Sequence, residues 1–250
     1  MNLHGLIEAP KSVPGFNTLV ERLSTEGSSS SVSVIDAAKP LLLAALWHRL
    51  KRPLVVITDR METAHLLHQQ MLAYLGGRAP IYVLPELDSL PYERLGSDRN
   101  TIHQRMAALQ ALNQRIPSGQ SEAIAPIVIG SAYGFSTKTA DPKQIKALSH
   151  TISRGERLDL LATIRQWTLM GYRVEPAVEL PGDLSRRGGI LDVFPPSSSN
   201  PVRLDFFDDT IDTIRYFDPE SQRSLDPLQS IVITPATELI PQAEPSPQLT

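Results

Sequence analysis

Apolar positions in the first half of the chain fall into short continuous runs separated by amphipathic stretches. Val32 to Ile35, Leu54 to Thr58, Ile81 to Leu84 and Pro126 to Gly130 read as β-runs bounded by turn residues. Helical patterns lie between them, over Phe16–Thr25, Pro40–Leu50, from Thr58 and Asp59 as cap residues to Leu75, and over Arg99–Arg115. Strands alternating with helices, each strand apolar without alternation, predict a parallel sheet covered on both faces. The stretch from Pro85 to Ser97 is rich in turn residues and, with the helix after it, reads as an element inserted at about 85–115. Near Asp141 and Pro142 the rhythm changes. A helix is expected over Glu156–Met170. Short strands follow over Arg173–Val178, Gly189–Val193, Pro201–Asp205, Thr210–Phe217 and Ile231–Thr234, predicting an antiparallel sheet with one or two helices. The expected organisation is thus α/β: a parallel-sheet domain over 1–142, a small α+β domain over 143–238, and a Pro- and Gln-containing tail over 239–250 with little to bury.

Composition narrows the chemistry. The 250 residues contain no cysteine, which removes disulfides, thiolate catalysis and cysteine-based zinc sites and suits a reducing cytoplasm. A net charge of -3 is too mild for a nucleic-acid field over the whole molecule. The longest apolar run, Pro40 to Trp47, is too short to span a membrane. His48, His65 and His68 lack metal-ligand spacing, and Glu86, Asp88 and Glu93 have no partnered nucleophile. No metal, no cofactor and no catalytic group is expected.

A nucleotide-binding loop in such a fold would sit between the run at 32–35 and the helix from Pro40. Phosphate binding there needs glycines, a lysine and a metal-binding hydroxyl. Only Lys39 fits. Ser33 and Ala38 stand where the glycines belong, and Pro40 replaces the hydroxyl residue. Residues Gly182–Pro195 and Arg203–Asp209 are the other candidate site. Arg186 and Arg187 precede a Gly188–Gly189 step, and Arg203 adds a second cationic point. Guanidinium groups on a rigid sheet suit docking of a carboxylate-bearing partner. The plain alternative is solvated strand arginines paired with Asp205, Asp208 or Asp209. Phe206 and Phe207, being adjacent, should face opposite sides, one toward a core and one outward.

Leu84–Glu93, Ser97–Arg105, Ser131–Gly134, Arg187–Pro195, Arg203–Asp209 and Ile214–Asp218 resemble, in collinear order, blocks of the N-terminal region of bacterial transcription-repair coupling factors, and less closely of the excinuclease component UvrB. The resemblance implies a degenerate RecA-like domain with an inserted segment, then a domain that binds the excinuclease component UvrA. It implies a recruitment module for nucleotide excision repair, with contacts at Arg173, Arg187, Arg203 and Asp205; Arg186, beside Arg187, and Phe206 and Phe207, beside Asp205, complete the expected partner-binding set. A damage-probing hairpin of UvrB would fall near Pro91–Asn100. RNA polymerase and DNA would be met by regions beyond Thr250. A residual nucleotide- or DNA-binding helicase-like domain is the alternative.

Overall fold

The computed structural model describes residues 3–87, 98–113 and 124–238, which divide into two compact units. The first holds α1 (Pro14–Ser24), α2 (Lys39–Leu50), β1 (Leu54–Thr58), α3 (Met61–Leu75) and β2 (Ile81–Leu84). The next helix, α4 (Arg99–Asn113), packs with the second unit, before β3 (Ile127–Ser131) and α5 (Ala132–Ser136) complete the first. The structural division therefore falls between 137 and 138, and α4 is not part of the parallel-sheet unit to which the sequence pattern joins it.

In the first unit β3 lies between β1 and β2, parallel to both. Its five residues are all buried, as a continuous apolar run requires. Leu46, Ala64, Leu67, Met71 and Leu75 from α2 and α3 pack over Ile127 and Ile129. Gly130 is needed for this spacing, because a Cβ there would lie 2.9 Å from Leu84 O. The run Val32–Ile35 is not a strand. It has no ladder partner among the described residues, and Val32, Val34 and Ile35 are exposed, so β-propensity alone does not make a strand here. Helix α3 is capped one residue beyond the expected Asp59. Arg60 is its cap residue and gives no side-chain cap, while the Asp59 carboxylate accepts from Thr63 Oγ1 at 3.0 Å, which holds the Asp59 pKa low.

The second unit adds α6 (Pro142–Leu148), β4 (His150–Ser153), α7 (Leu160–Leu169), β5 (Arg173–Val174), β6 (Asp183–Arg187), β7 (Ile190–Val193), β8 (Val202–Phe207), β9 (Thr210–Phe217), β10 (Ser224–Leu228) and β11 (Ser230–Ile233). Asp159 caps α7 by accepting from Leu161 N at 2.8 Å and Ala162 N at 3.0 Å, which places the helix start after the expected Glu156. Six strands form a sheet in the order β10-β9-β8-β7-β6-β5, antiparallel except for β5 with β6; β4 pairs with β11 separately. Strand β6 is an addition to the expected set, and the strand expected over 173–178 shortens to two residues.

Register assigns the two faces of this sheet. Leu191, Leu204 and Ile214 lie side by side and pack against Trp167, Met170 and Tyr172. On the opposite face Ser185, Asp192, Arg203 and Arg215 form one row. Arg187, Ile190, Asp205 and Thr213 form the next. Tyr172 anchors the covered side by donating from its hydroxyl to Thr234 O at 2.7 Å, and burial pushes its pKa up. The positions for a hairpin at 91–97, Tyr92 and the tail from 239 lie outside the described residues.

Candidate functional site

The face opposite the Trp167 core carries a chain of alternating charge, partly covered at the Phe217 end by Val178 and Phe194. Arg187 on β6 and Arg203 on β8 meet across the buried carboxylate of Asp192 on β7, whose side chain is 1% exposed. Arg187 Nη2 donates to Asp192 Oδ2 at 2.8 Å; Arg203 Nε and Nη2 donate to Oδ1 and Oδ2 at 2.7 and 2.9 Å. Gln222 Oε1 accepts from both arginines, at 3.2 Å from Arg203 and 3.4 Å from Arg187. The Arg203 guanidinium also lies 4.5 Å from the centroid of the Phe217 ring. Its bonds to Asp192 raise its pKa. Farther along, Arg215 Nη2 donates to Asp205 Oδ2 at 2.5 Å and Thr213 Oγ1 donates to the same oxygen.

The acid that receives Arg187 and Arg203 is therefore Asp192, not Asp205, Asp208 or Asp209. Pairing does not bury the arginines equally: the Arg187 side chain remains 50% exposed and that of Arg203 15%. Among the described residues Arg187 Nε and Nη1 and Arg203 Nη1 have no partner.

Arg186 is separated from this cluster. It lies in the row of Leu191 and Leu204, on the face opposite Arg187, and its Nε donates to Gly188 O at 3.3 Å. The two adjacent arginines form no fork, because neighbouring strand residues alternate faces. Arg173 is also apart. Its register partner is Asp183, four residues from Arg187 along β6, roughly 13 Å at the usual strand rise. Phe206 is half-buried against the core, whereas Phe207 is 81% exposed at the rim of a cavity of about 660 Å³ with Arg154, Thr210 and Gln229. Gly188 has φ +61 in the β6–β7 turn, and a Cβ on Gly189 would meet Phe206 O at 3.2 Å. Both glycines are accounted for by the turn and the neighbouring strand.

Arg173 lines a different cavity of the second unit, about 310 Å³, with Arg99 and His103. Arg99 pairs with Asp183. Burial first, and the Arg99 charge next, lower the pKa of His103 from 6.5 to about 4, against the opposing effect of Asp183. The unfolded chain thus takes a proton near pH 6.5 that the folded chain refuses until about 4. The resulting stability is fully present above pH 6.5 and lost as pH falls to 4, about 3 kcal/mol in all. Denaturant titrations at a series of pH values should show the stability difference between wild type and His103→Gln changing by about this amount across that window; parallel pH profiles would contradict the assignment.

In the first unit, Ser33 lies in an exposed segment, and Ala38 ends a 3₁₀ turn over Asp36–Ala38. Lys39 opens α2 with Pro40 next, and Lys39 Nζ is bound to Asp36 Oδ1 at 2.6 Å. Asp36, Lys39 and Pro40 border a cavity of about 800 Å³ with Thr58 and Thr63, whereas Ser33 and Ala38 line a separate one of about 470 Å³. Among the described residues no His, Asp and Glu group has the arrangement to hold a metal ion, and no helix is long and apolar enough to cross a membrane.

A sheet domain with a charged face opposite its core is the class that the structure defines, and the comparisons identify its kind. Residues 151–239 match the family model of the UvrB interaction domain. The chain is 33% identical over 238 residues to the transcription-repair-coupling factor of Myxococcus xanthus, covering 93% of this chain and 19% of that protein. It is 30% identical over 202 residues to the factor of Escherichia coli K12, covering 81% and 17%, and 29% identical over 209 residues to that of Bacillus subtilis 168, covering 83% and 17%. The chain is similar over most of its length to transcription-repair-coupling factors, of which it spans less than a fifth, and the match to the UvrB interaction domain family falls within its second unit.

Proposed function

We propose that the second unit is a non-catalytic docking module that binds UvrA in nucleotide excision repair coupled to transcription, through the charged face of its six-stranded sheet. The observation that carries this reading is the charge of the two adjacent rows. Arg187, Asp192, Arg203, Asp205 and Arg215 alternate in sign but end in a cation on both sides, leaving the cluster one anion short. Free N–H groups of Arg187 and Arg203 offer a partner carboxylate charge-assisted hydrogen bonds. Phe207 supplies the exposed aromatic anchor that interfaces use for affinity, while charge provides orientation and on-rate. Arg173 and Arg186 lie outside this patch and are not assigned to it.

The first unit is proposed to be a RecA-like domain without nucleotide-binding function. Asp36 already occupies Lys39, and Pro40 brings no hydroxyl to a metal. Mg-ATP is then expected to leave its melting temperature unchanged; a rise with nucleotide concentration would favour the helicase-like alternative. RNA polymerase and DNA are proposed as partners of the remaining length of such a factor.

Calorimetric titration with UvrA tests the docking face. Arg187→Glu is expected to weaken binding by about 2 to 5 kcal/mol, at least roughly 30-fold, with the circular dichroism of the chain retained. Unchanged affinity would remove Arg187 from the interface.

A further inference from the structure

We infer that Asp192 and Gln222 are positioning residues that hold Arg187 and Arg203 as one rigid unit for a carboxylate-bearing partner. The inference rests on the docking reading above and assigns the two side chains that make the arginine pair usable.

Two observations carry it independently of composition or family. First, Asp192 is a carboxylate on an otherwise apolar strand, between Leu191 and Val193, and almost no water reaches it. A buried charge is tolerated only when fully paired, and an apolar residue of similar size would serve packing as well or better. Asp192 is paired three times over, by two guanidinium groups from strands on either side. It therefore does what an apolar residue at this position would not. It fixes the planes of Arg187 and Arg203 and leaves their remaining N–H groups unspent.

Second, Gln222 has φ +58, a left-handed backbone that glycine adopts freely and other L-residues adopt at a cost. The turn that imposes this conformation is closed by backbone bonds, Gln222 N to Asp218 O at 2.8 Å and Asp218 N to Arg223 O at 2.9 Å. Ser221 N and Oγ further donate to the Asp218 carboxylate, each at 2.7 Å. Nothing in that turn calls for a long side chain. The Gln222 amide instead reaches the arginines, with Nε2 donating to Pro219 O at 2.8 Å, which orients Oε1 toward both guanidinium groups. A residue held against its backbone preference points to a role for its side chain.

Together the two acceptors remove rotamer freedom from two long side chains before any partner arrives. Arg187, half exposed, would otherwise lose that freedom on binding. Preorganisation of this kind raises affinity without adding a contact to the partner. The partner group that fits is a single carboxylate, because Asp192 and Gln222 satisfy the inner N–H groups and only the outer ones remain.

Gln222→Gly gives the sharpest test, since it relieves the left-handed backbone while deleting the acceptor. The expected result is a melting temperature at or above wild type together with roughly tenfold weaker binding of purified UvrA. Asp192→Asn should weaken binding by about 100-fold or more. A residue that merely stabilised the turn would move stability and affinity together, so Gln222→Gly with wild-type affinity would overturn the inference even if Asp192→Asn does not fold. The docking reading fails separately, if Arg187→Glu binds as wild type. Order parameters of the Arg187 and Arg203 Nε–Hε groups by NMR need no partner. They should fall in Gln222→Gly, and unchanged values would contradict the clamp.

Discussion

Glu238→Ala is expected to lower the stability of the second unit by about 3 to 5 kcal/mol. Its carboxylate receives Nε and Nη2 of Arg105, a side chain of α4 with no solvent exposure at all. Nearby, Met106 packs with Ala140 and Ile145, so water has no ready route to the N–H groups that Glu238 now receives. The cost comes from leaving those buried N–H groups short of an acceptor rather than from losing the attraction. For the same reason Arg105→Met combined with Glu238→Ala should be markedly less destabilising than the two single effects added together. Denaturant melts of the three variants form a double-mutant cycle. A Glu238→Ala variant within about 1 kcal/mol of wild type would show that the pair does not hold α4 to the second unit.

Gly182→Ala is expected to lower stability by about 2 to 4 kcal/mol, from two separable causes. At φ +86 the backbone is left-handed, and it is held there by Gly182 N donating to Phe194 O at 2.7 Å and Gly182 O accepting from Arg173 N at 2.9 Å. An added Cβ would also lie 2.9 Å from Cε1 of His103 and nearer still to its Nε2. The imidazole is buried and cannot swing into solvent without opening the cavity beside Arg173. Thermal melts should show His103→Ala restoring part of the loss in a Gly182→Ala background, with the backbone share remaining. Full restoration would mean that the φ angle carries no cost.

The alternation of apolar runs and helical patterns made the parallel sheet legible, because β3 is buried on both sides and no polar side chain interrupts its run before Ser131. Val32–Ile35 has the same local signature yet makes no ladder, since a strand also needs a free edge in the right place. Helix α4 shows a different limit. Its periodicity reports a helix but not which unit it covers, and that is decided by Arg105, His103 and Arg99 meeting residues about 80 or more positions away. At the docking face the arginines were legible and their acid was not. Asp192 meets Arg203 only through the β7–β8 register, a property of the hairpin rather than of either segment. Gln222 gave no signal, because its φ angle belongs to the folded turn. The opposite directions of Arg186 and Arg187 were readable from the same alternation that separates Phe206 from Phe207.

Hydrogen–deuterium exchange of the chain with and without UvrA locates the docking face without altering a residue. Slowed exchange is predicted across 183–217, concentrated in β6, β7, β8 and the β8–β9 turn beside Phe207, with the first unit unaffected. Protection confined to residues 3–86 or 124–137, with 183–217 exchanging as in the free chain, would contradict the assignment of this sheet face to the partner.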